Sequence, residues 1–212
     1  MMSRLRAAAA AMAAVALLSA CAVDPVYAPE EEVMRSLHYV EGPRKLTLYT
    51  VRSTRNGSGG HTGLMVSDSH RALFDPAGTF YFPGAPERGD VHYGMTDRVV
   101  AVYIDYHARE TYDVIVQEVV VPPEVAAEAM RAIQSYGAVP KAQCALATSR
   151  ILSQLPGFES IPVTWSPNRL SDAFGALPGA TYRVISDDDA DKNHGVLFNA
   201  ANTYRGENPF AE

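Results

Sequence analysis

An α+β domain with an antiparallel sheet is predicted by three features of the sequence. β-prone runs at 46–51, 63–66 and 72–74 follow one another at hairpin spacing, with no helical segment between them. Three helical segments with their own start and stop residues are grouped later, between 122 and 175. A last β-prone run, Thr181 to Ile185, follows them, so strands and helices are segregated instead of alternating as βαβ units.

The folded domain is expected over 45–186. In the first run Leu46, Leu48 and Thr50 alternate with Thr47, Tyr49 and Val51, and Asn56-Gly57-Ser58-Gly59-Gly60 closes it as a flexible turn. Gly63-Leu64-Met65-Val66 is the second strand and Asp68-Ser69 a turn. Ala72-Leu73-Phe74 is the third strand, ended at Asp75-Pro76 because proline cannot donate to a ladder. After a Gly- and Pro-rich excursion from Gly78 to Gly94, two runs rich in β-branched and aromatic residues, Arg98 to Tyr106 and Tyr112 to Val121, predict a second hairpin turning at His107-Ala108-Arg109-Glu110. Pro122-Pro123 sets the first turn of a helix with Val125, Ala129, Ile133 and Tyr136 on one stripe and Gly137 after its end. A second helix is expected from near Pro140 to Leu155, stopped by Pro156-Gly157. It carries Cys144 in or near its first turn, on one face with Thr148, Ile151 and Leu155. A third, short helix has Ser166 as N-cap, Pro167 at its first position, Leu170 and Phe174 inward, and Gly175 after its end. Residues 187–212 are read as a polar tail.

The N-terminus has the pattern of an export signal. Arg4 and Arg6 precede the uncharged run Ala7 to Leu18, which ends in the small residues Ser19 and Ala20. About a dozen residues cannot cross roughly 30 Å of hydrocarbon as a helix. Cleavage is placed before Cys21 or after Ala28. Leu18-Ser19-Ala20-Cys21 resembles the lipobox of bacterial lipoproteins, which implies a lipid on Cys21 and a signal peptide over 1–20. Ala22, where retained lipoproteins tend to carry Asp, implies an outer-membrane destination facing the periplasm. Residues 21–44, with Pro25, Pro29 and Glu30-Glu31-Glu32, are read as a tether.

The formal net charge is -6, and loss of two arginines with the signal makes the mature chain more acidic, which argues against nucleic acid as a partner. With Cys21 lipidated, Cys144 is the one remaining thiol, so no internal disulfide forms. A lone thiol in an oxidising compartment is either buried and inert or kept for its chemistry.

A thiol in the first turn of a helix sits beside unpaired N–H groups, which favour thiolate. Nucleophilic catalysis also needs a base and a polar group to orient it. His61, after the glycine loop, and Asp75, at the end of the paired strand, are placed to project from one edge of a hairpin. Backbone N–H groups near Cys144, with Gln143 or Asn56, are candidate oxyanion donors.

The order His61-Thr62-Gly63-Leu64-Met65-Val66, Leu73-Phe74-Asp75, then Cys144 opening a helix, with Ser166-Pro167-Asn168-Arg169-Leu170 after it, resembles the permuted NlpC-type papain-like superfamily. That resemblance spans roughly Leu46 to Ile185 and includes uncharacterised bacterial lipoproteins and lecithin:retinol acyltransferase. It implies an antiparallel sheet packed on a cysteine-headed helix, with Cys144 as nucleophile, His61 as base and Asp75 as orienting group. Gln143 stands where many relatives have Asn or Asp, and the step from His61 to Asp75 is slightly long. A rival base is His194, since Asn193-His194-Gly195-Val196-Leu197-Phe198 also resembles the histidine strand and follows Cys144.

No metal or other cofactor is expected. His38, His70, His92 and His107 lack metal-ligand spacing, and Asp187-Asp188-Asp189-Ala190-Asp191 lacks the glycine and glutamate of a calcium loop, so it is read as a solvated turn. Trp165 is assigned to core packing, with a cleft wall as the alternative. The expectation is a membrane-anchored cysteine hydrolase acting on an amide, with cell-wall peptide as the substrate class. A lipid esterase or acyltransferase is the enzymatic alternative. A noncatalytic lipoprotein that binds wall or lipid through the same cleft is the alternative from a different class.

Overall fold

The computed structural model describes residues 25–207. The expected signal segment and the lipid site at Cys21 lie outside the described residues. The protein is α+β, with a seven-stranded antiparallel sheet and six helices among the described residues.

The first element among the described residues is helix α1, Glu30–Ser36, followed by β1, Lys45–Ser53; β2, Gly59–Ser67; and β3, Arg71–Phe74. Two short strands, β4 (Glu87–Arg88) and β5 (Val91–His92), precede α2, Asp97–His107, and β6, Tyr112–Val120. Helices α3 (Pro123–Tyr136), α4 (Cys144–Leu152) and α5 (Pro167–Gly175) come next, then β7 (Thr181–Ile185) and α6 (Asn193–Glu207). The strand order is β4-β5-β3-β2-β1-β6-β7, with β2 in the middle and β1 beside it, paired over its whole length with β6.

Strand alternation divides the buried side chains between two cores, one on each face of the sheet. Leu46, Leu48, Leu64, Val66 and Phe74 pack against Val125, Ala129 and Ile133 of α3, Ile151 and Leu152 of α4, and Leu170 and Phe174 of α5. On the other face Tyr49, Met65, Leu73, Val114 and Val116 pack against Val99, Tyr103 and Tyr106 of α2 and Leu197 of α6. Each Val, Leu, Ile, Met or Phe side chain among them contributes roughly 1.5–3 kcal/mol when fully buried.

Several expectations are corrected. Residues 98–106 form helix α2, not a strand. Thr96 accepts the Val99 N–H as an N-cap, and Val99, Tyr103 and Tyr106 lie at helical spacing on the buried face. β1 already has β2 on one side and β6 on the other, so the ladder offers 98–106 no place beside it, and tertiary packing overrides the β propensity of its valines. The stretch read as a tether packs on the domain from Tyr27 onward. Ala28 donates its N–H to the Glu87 carbonyl at 2.8 Å, and Val33 of α1 is buried in the first core. The expected polar tail contains α6, which buries Leu197 and Ala201 and sets Tyr204 edge-on to Phe82 at 5.2 Å between ring centres. The second helix begins at Cys144 and not near Pro140, because Ala142 adopts φ 65°, outside the right-handed helical region. Trp165 is 62% exposed and takes no part in either core.

Candidate active site

The candidate site lies where the β2–β3 ladder stops. The last pair at that end is Leu64 with Phe74, after which the chain leaves the sheet at Asp75. The amide of Thr62 therefore has no β3 partner and donates its N–H to the Cys144 sulfur. On the other side of β2, Val51 pairs with His61 and Arg52 with Gly59, so Gly60 is the extra residue of a bulge directly before His61. Bulges of this kind bend a strand and re-aim the neighbouring side chain.

Cys144 is the first residue of α4, where the N–H groups of the opening turn have no intrahelical acceptor. The Ala145 N–H joins that of Thr62 on the sulfur. His61 places Nε2 2.7 Å from Asp75 Oδ1, which leaves Nδ1 as the nitrogen for its hydrogen bond with Cys144. Asp75 Oδ1 also accepts the Tyr103 hydroxyl at 2.8 Å. His107 lies parallel to His61, 5.5 Å between ring centres, and donates Nδ1–H to the Tyr103 carbonyl at 2.9 Å. Asp75, His61 and Cys144 are thus supported by α2 on one face of the sheet and by α4 at its open edge.

Burial and pairing oppose one another at this site. Burial by itself would lower the His61 pKa, but the Asp75 carboxylate and the Cys144 thiolate outweigh it and raise the imidazole to about 10. Burial would likewise raise Asp75, and the His61 charge and hydrogen bond hold it below the usual carboxylate range instead. The Cys144 thiol, also raised by burial, is brought below its ordinary value by the His61 hydrogen bond and charge and by the Thr62 and Ala145 N–H groups. His107 goes the other way, because burial lowers it to about 4, so it stays neutral near pH 7 while its neighbour is charged. The arrangement places a protonated imidazole between a carboxylate and a thiol whose ionisation it favours.

Close packing keeps the carboxylate in place. A Cβ on Gly78 would sit 1.7 Å from Asp75 Oδ2, and one on Gly63 would sit 2.5 Å from the Tyr103 hydroxyl. A cavity of about 280 Å³ opens beside the histidines, lined by Gly60, His61, Thr79, Tyr106, His107 and Tyr112 among others.

Of the residues the sequence singled out, Cys144, His61 and Asp75 are brought together. His194 lies exposed on α6, and the imidazole bonded to Cys144 is His61. Asn56 is exposed in the β1–β2 turn, where its side-chain oxygen accepts the Ser58 N–H. Gln143 occupies the N-cap position of α4 without a side-chain capping bond. Tyr103 and His107 were missed because 98–106 reads as a strand. The signal available was Thr96 as a cap followed by Val99, Tyr103 and Tyr106 at helical spacing.

Ligand atoms of His61, Asp75 and His107 lie within 4.8 Å of one another, a spacing that sequence distance did not reveal, and the first two are already joined by their hydrogen bond. Asp105, Asp187 and Asp189 form a second such group, with Arg109 paired to Asp105 and to Asp189. No family model, curated protein or solved structure matches the chain.

Proposed function

We propose that the protein is a thiol hydrolase in which Cys144 is the nucleophile, His61 the general base and acid, and Asp75 the orienting group. The observation that carries this reading is a single imidazole that bonds a buried carboxylate through Nε2 and lies close enough to a thiol at a helix N-terminus to favour its ionisation. In this mechanism the Cys144 thiolate attacks a carbonyl carbon, and the carbonyl electron pair moves to oxygen. N–H groups of the first turn of α4 are the donors available to that oxyanion. Collapse of the intermediate breaks the bond to the leaving amine, which takes a proton from His61, and leaves a thioester on Cys144. His61 then removes a proton from water, the resulting hydroxide attacks the thioester, and the acid and free thiol are released.

The substrate class proposed is an amide of cell-wall peptide, reached by a protein that a lipid on Cys21 holds to the outer membrane on its periplasmic side. The resemblance to the permuted NlpC-type papain-like superfamily supports that choice, and the same acyl-enzyme would serve a lipid ester or an acyl acceptor other than water. One observation favours the noncatalytic reading. Cys144 is only 8% exposed, and the 280 Å³ cavity opens on His61 and His107, with no part of its lining from Cys144.

Alkylation of Cys144 by iodoacetamide across pH separates the two readings, using protein that begins at Ala22. For a hydrolase the thiolate is formed near pH 7, and the profile moves up toward the ordinary thiol value of about 8.5 in His61→Ala but not in His194→Ala. A folded wild type whose thiol resists alkylation throughout would sink the catalytic reading and leave a binding domain.

A further inference from the structure

We propose that Asp90 is a positioning residue that fixes the loop carrying Asp75 against the loop leading to Cys144, and so sets the reactivity of a thiol it does not touch. The proposal rests on the thiol-hydrolase reading.

Asp90 lies in the two-residue turn between β4 and β5, where Arg88 pairs with Val91 and both Gly89 and Asp90 have positive φ, 57° and 64°. Two consecutive left-handed residues make the tight hairpin turn that matches strand twist. Aspartate is tolerated in that conformation far better than alanine. From this turn Asp90 makes three hydrogen bonds to the two loops. Its carbonyl accepts the Asp75 N–H at 2.8 Å, and one carboxylate oxygen, Oδ2, accepts the N–H of Ala77 at 2.8 Å and of Val139 at 2.9 Å.

The first two donors belong to the segment that leaves the sheet at Asp75, with Ala77 itself at φ 57°. The third begins the segment Val139 to Gln143, whose left-handed Ala142 turns the chain into α4. The approach is close over the whole turn, since a Cβ on Gly89 would lie 3.4 Å from the Gly137 Cα. One oxygen thus joins the backbone two residues after the orienting carboxylate to the backbone five residues before the nucleophile. His61 bonds to both Asp75 and Cys144, so it requires that separation to be held. A charged acceptor shared by two backbone donors is a strong brace, because each bond is charge-assisted.

The test is the pH profile of Cys144 alkylation in protein beginning at Ala22, with far-UV circular dichroism and Tm recorded alongside. Asp90→Gly keeps the turn conformation and the carbonyl acceptor and removes only the carboxylate. Its alkylation at pH 7 is expected to fall about tenfold to a hundredfold, as for a misplaced reacting group, with the profile shifted upward while the fold is retained. Asp90→Asn, which keeps an acceptor oxygen and tolerates the left-handed conformation, is expected to recover most of the rate. Asp90→Glu keeps the charge but displaces the oxygen, and replaces the glycine variant if that one does not fold; it too is expected to shift the profile upward. A folded Asp90→Gly or Asp90→Glu protein with the wild-type profile overturns the proposal, as does an asparagine variant no faster than the glycine one. If wild-type Cys144 is itself unreactive, the hydrolase reading fails and takes this inference with it. A reactive wild type with unaffected Asp90 variants removes the inference alone.

Discussion

Gly78 shows how much of the site depends on an absent side chain. Asp75 is buried to 1% side-chain exposure, and the positions closest to its carboxyl carbon and Oδ2 are open only because residue 78 has no Cβ. An alanine there would sit 1.7 Å from Oδ2 and 2.9 Å from the Asp75 carbonyl oxygen, which belongs to the backbone and cannot rotate away. Gly78→Ala is therefore expected to destabilise the fold by about 1–3 kcal/mol, the usual cost of overpacking. It should also raise the pH at which Cys144 becomes alkylated. Urea denaturation and the alkylation profile measure the two effects, and an alanine variant with wild-type behaviour in both would mean that Asp75 is not held as described.

Helix α2 supplies the hydroxyl and the second imidazole that support the Asp75–His61 pair, and its own sequence gives it little help. Val99, Val100, Val102 and Ile104 are β-branched and lose rotamer freedom in a helix. Its start depends on Thr96, whose hydroxyl oxygen accepts the Val99 N–H at 3.2 Å. Thr96→Ala is expected to cost about 1 kcal/mol, and Thr96→Asn, another good cap, to restore it. Thermal unfolding of the two variants reads this directly, and equal Tm values for wild type and alanine would show that packing alone holds the helix. Loosening α2 should also release Tyr103 from Asp75, so the alanine variant is expected to alkylate more slowly at pH 7 even where it remains folded.

For the molecule as a whole, the shifted protonation equilibria predict how stability varies with pH. His61 binds its proton more tightly when folded. Its contribution is fully present below the ordinary histidine value of about 6.5 and is lost as pH rises toward about 10. Asp75 is shifted downward, so its contribution is present above about 4 and is lost as pH falls through its lowered value. Cys144, also shifted downward, adds the opposite slope between its folded value and the ordinary thiol value, and partly cancels the histidine. Wild-type stability should therefore fall less steeply with rising pH between about 6.5 and 8.5 than that of a variant lacking the thiol. Cys144→Ala should lose stability over that range, on the order of 1 kcal/mol per pH unit at most. Urea unfolding at several pH values tests this. A variant whose stability is flat across the range would show that His61 gains no proton affinity on folding.

The chain by itself determined the local elements whose signals are contained within a few residues. Pro123 and Gly137 bound α3, Ser166 and Pro167 start α5, and the alternating residues of β1 and β2 form the hairpin that carries His61. It also placed Cys144 in the first turn of a helix and pointed to His61 and Asp75, because a thiol, an imidazole and a carboxylate at element ends are visible as residue types. Tertiary structure decided what depends on competition between distant segments. Residues 98–106 are β-prone, yet β6 takes the position beside β1, and the displaced segment gains more by laying Val99, Tyr103 and Tyr106 on the sheet as a helix. Residues 193–207 show little helical amphipathicity, and α6 is held by the contacts of Leu197, Ala200 and Tyr204 with groups far away in sequence. For the same reason His107 and Asp90 were illegible. Their partners are a ring 46 positions away and an amide 49 positions away, and no local pattern records a contact made only when the sheet closes.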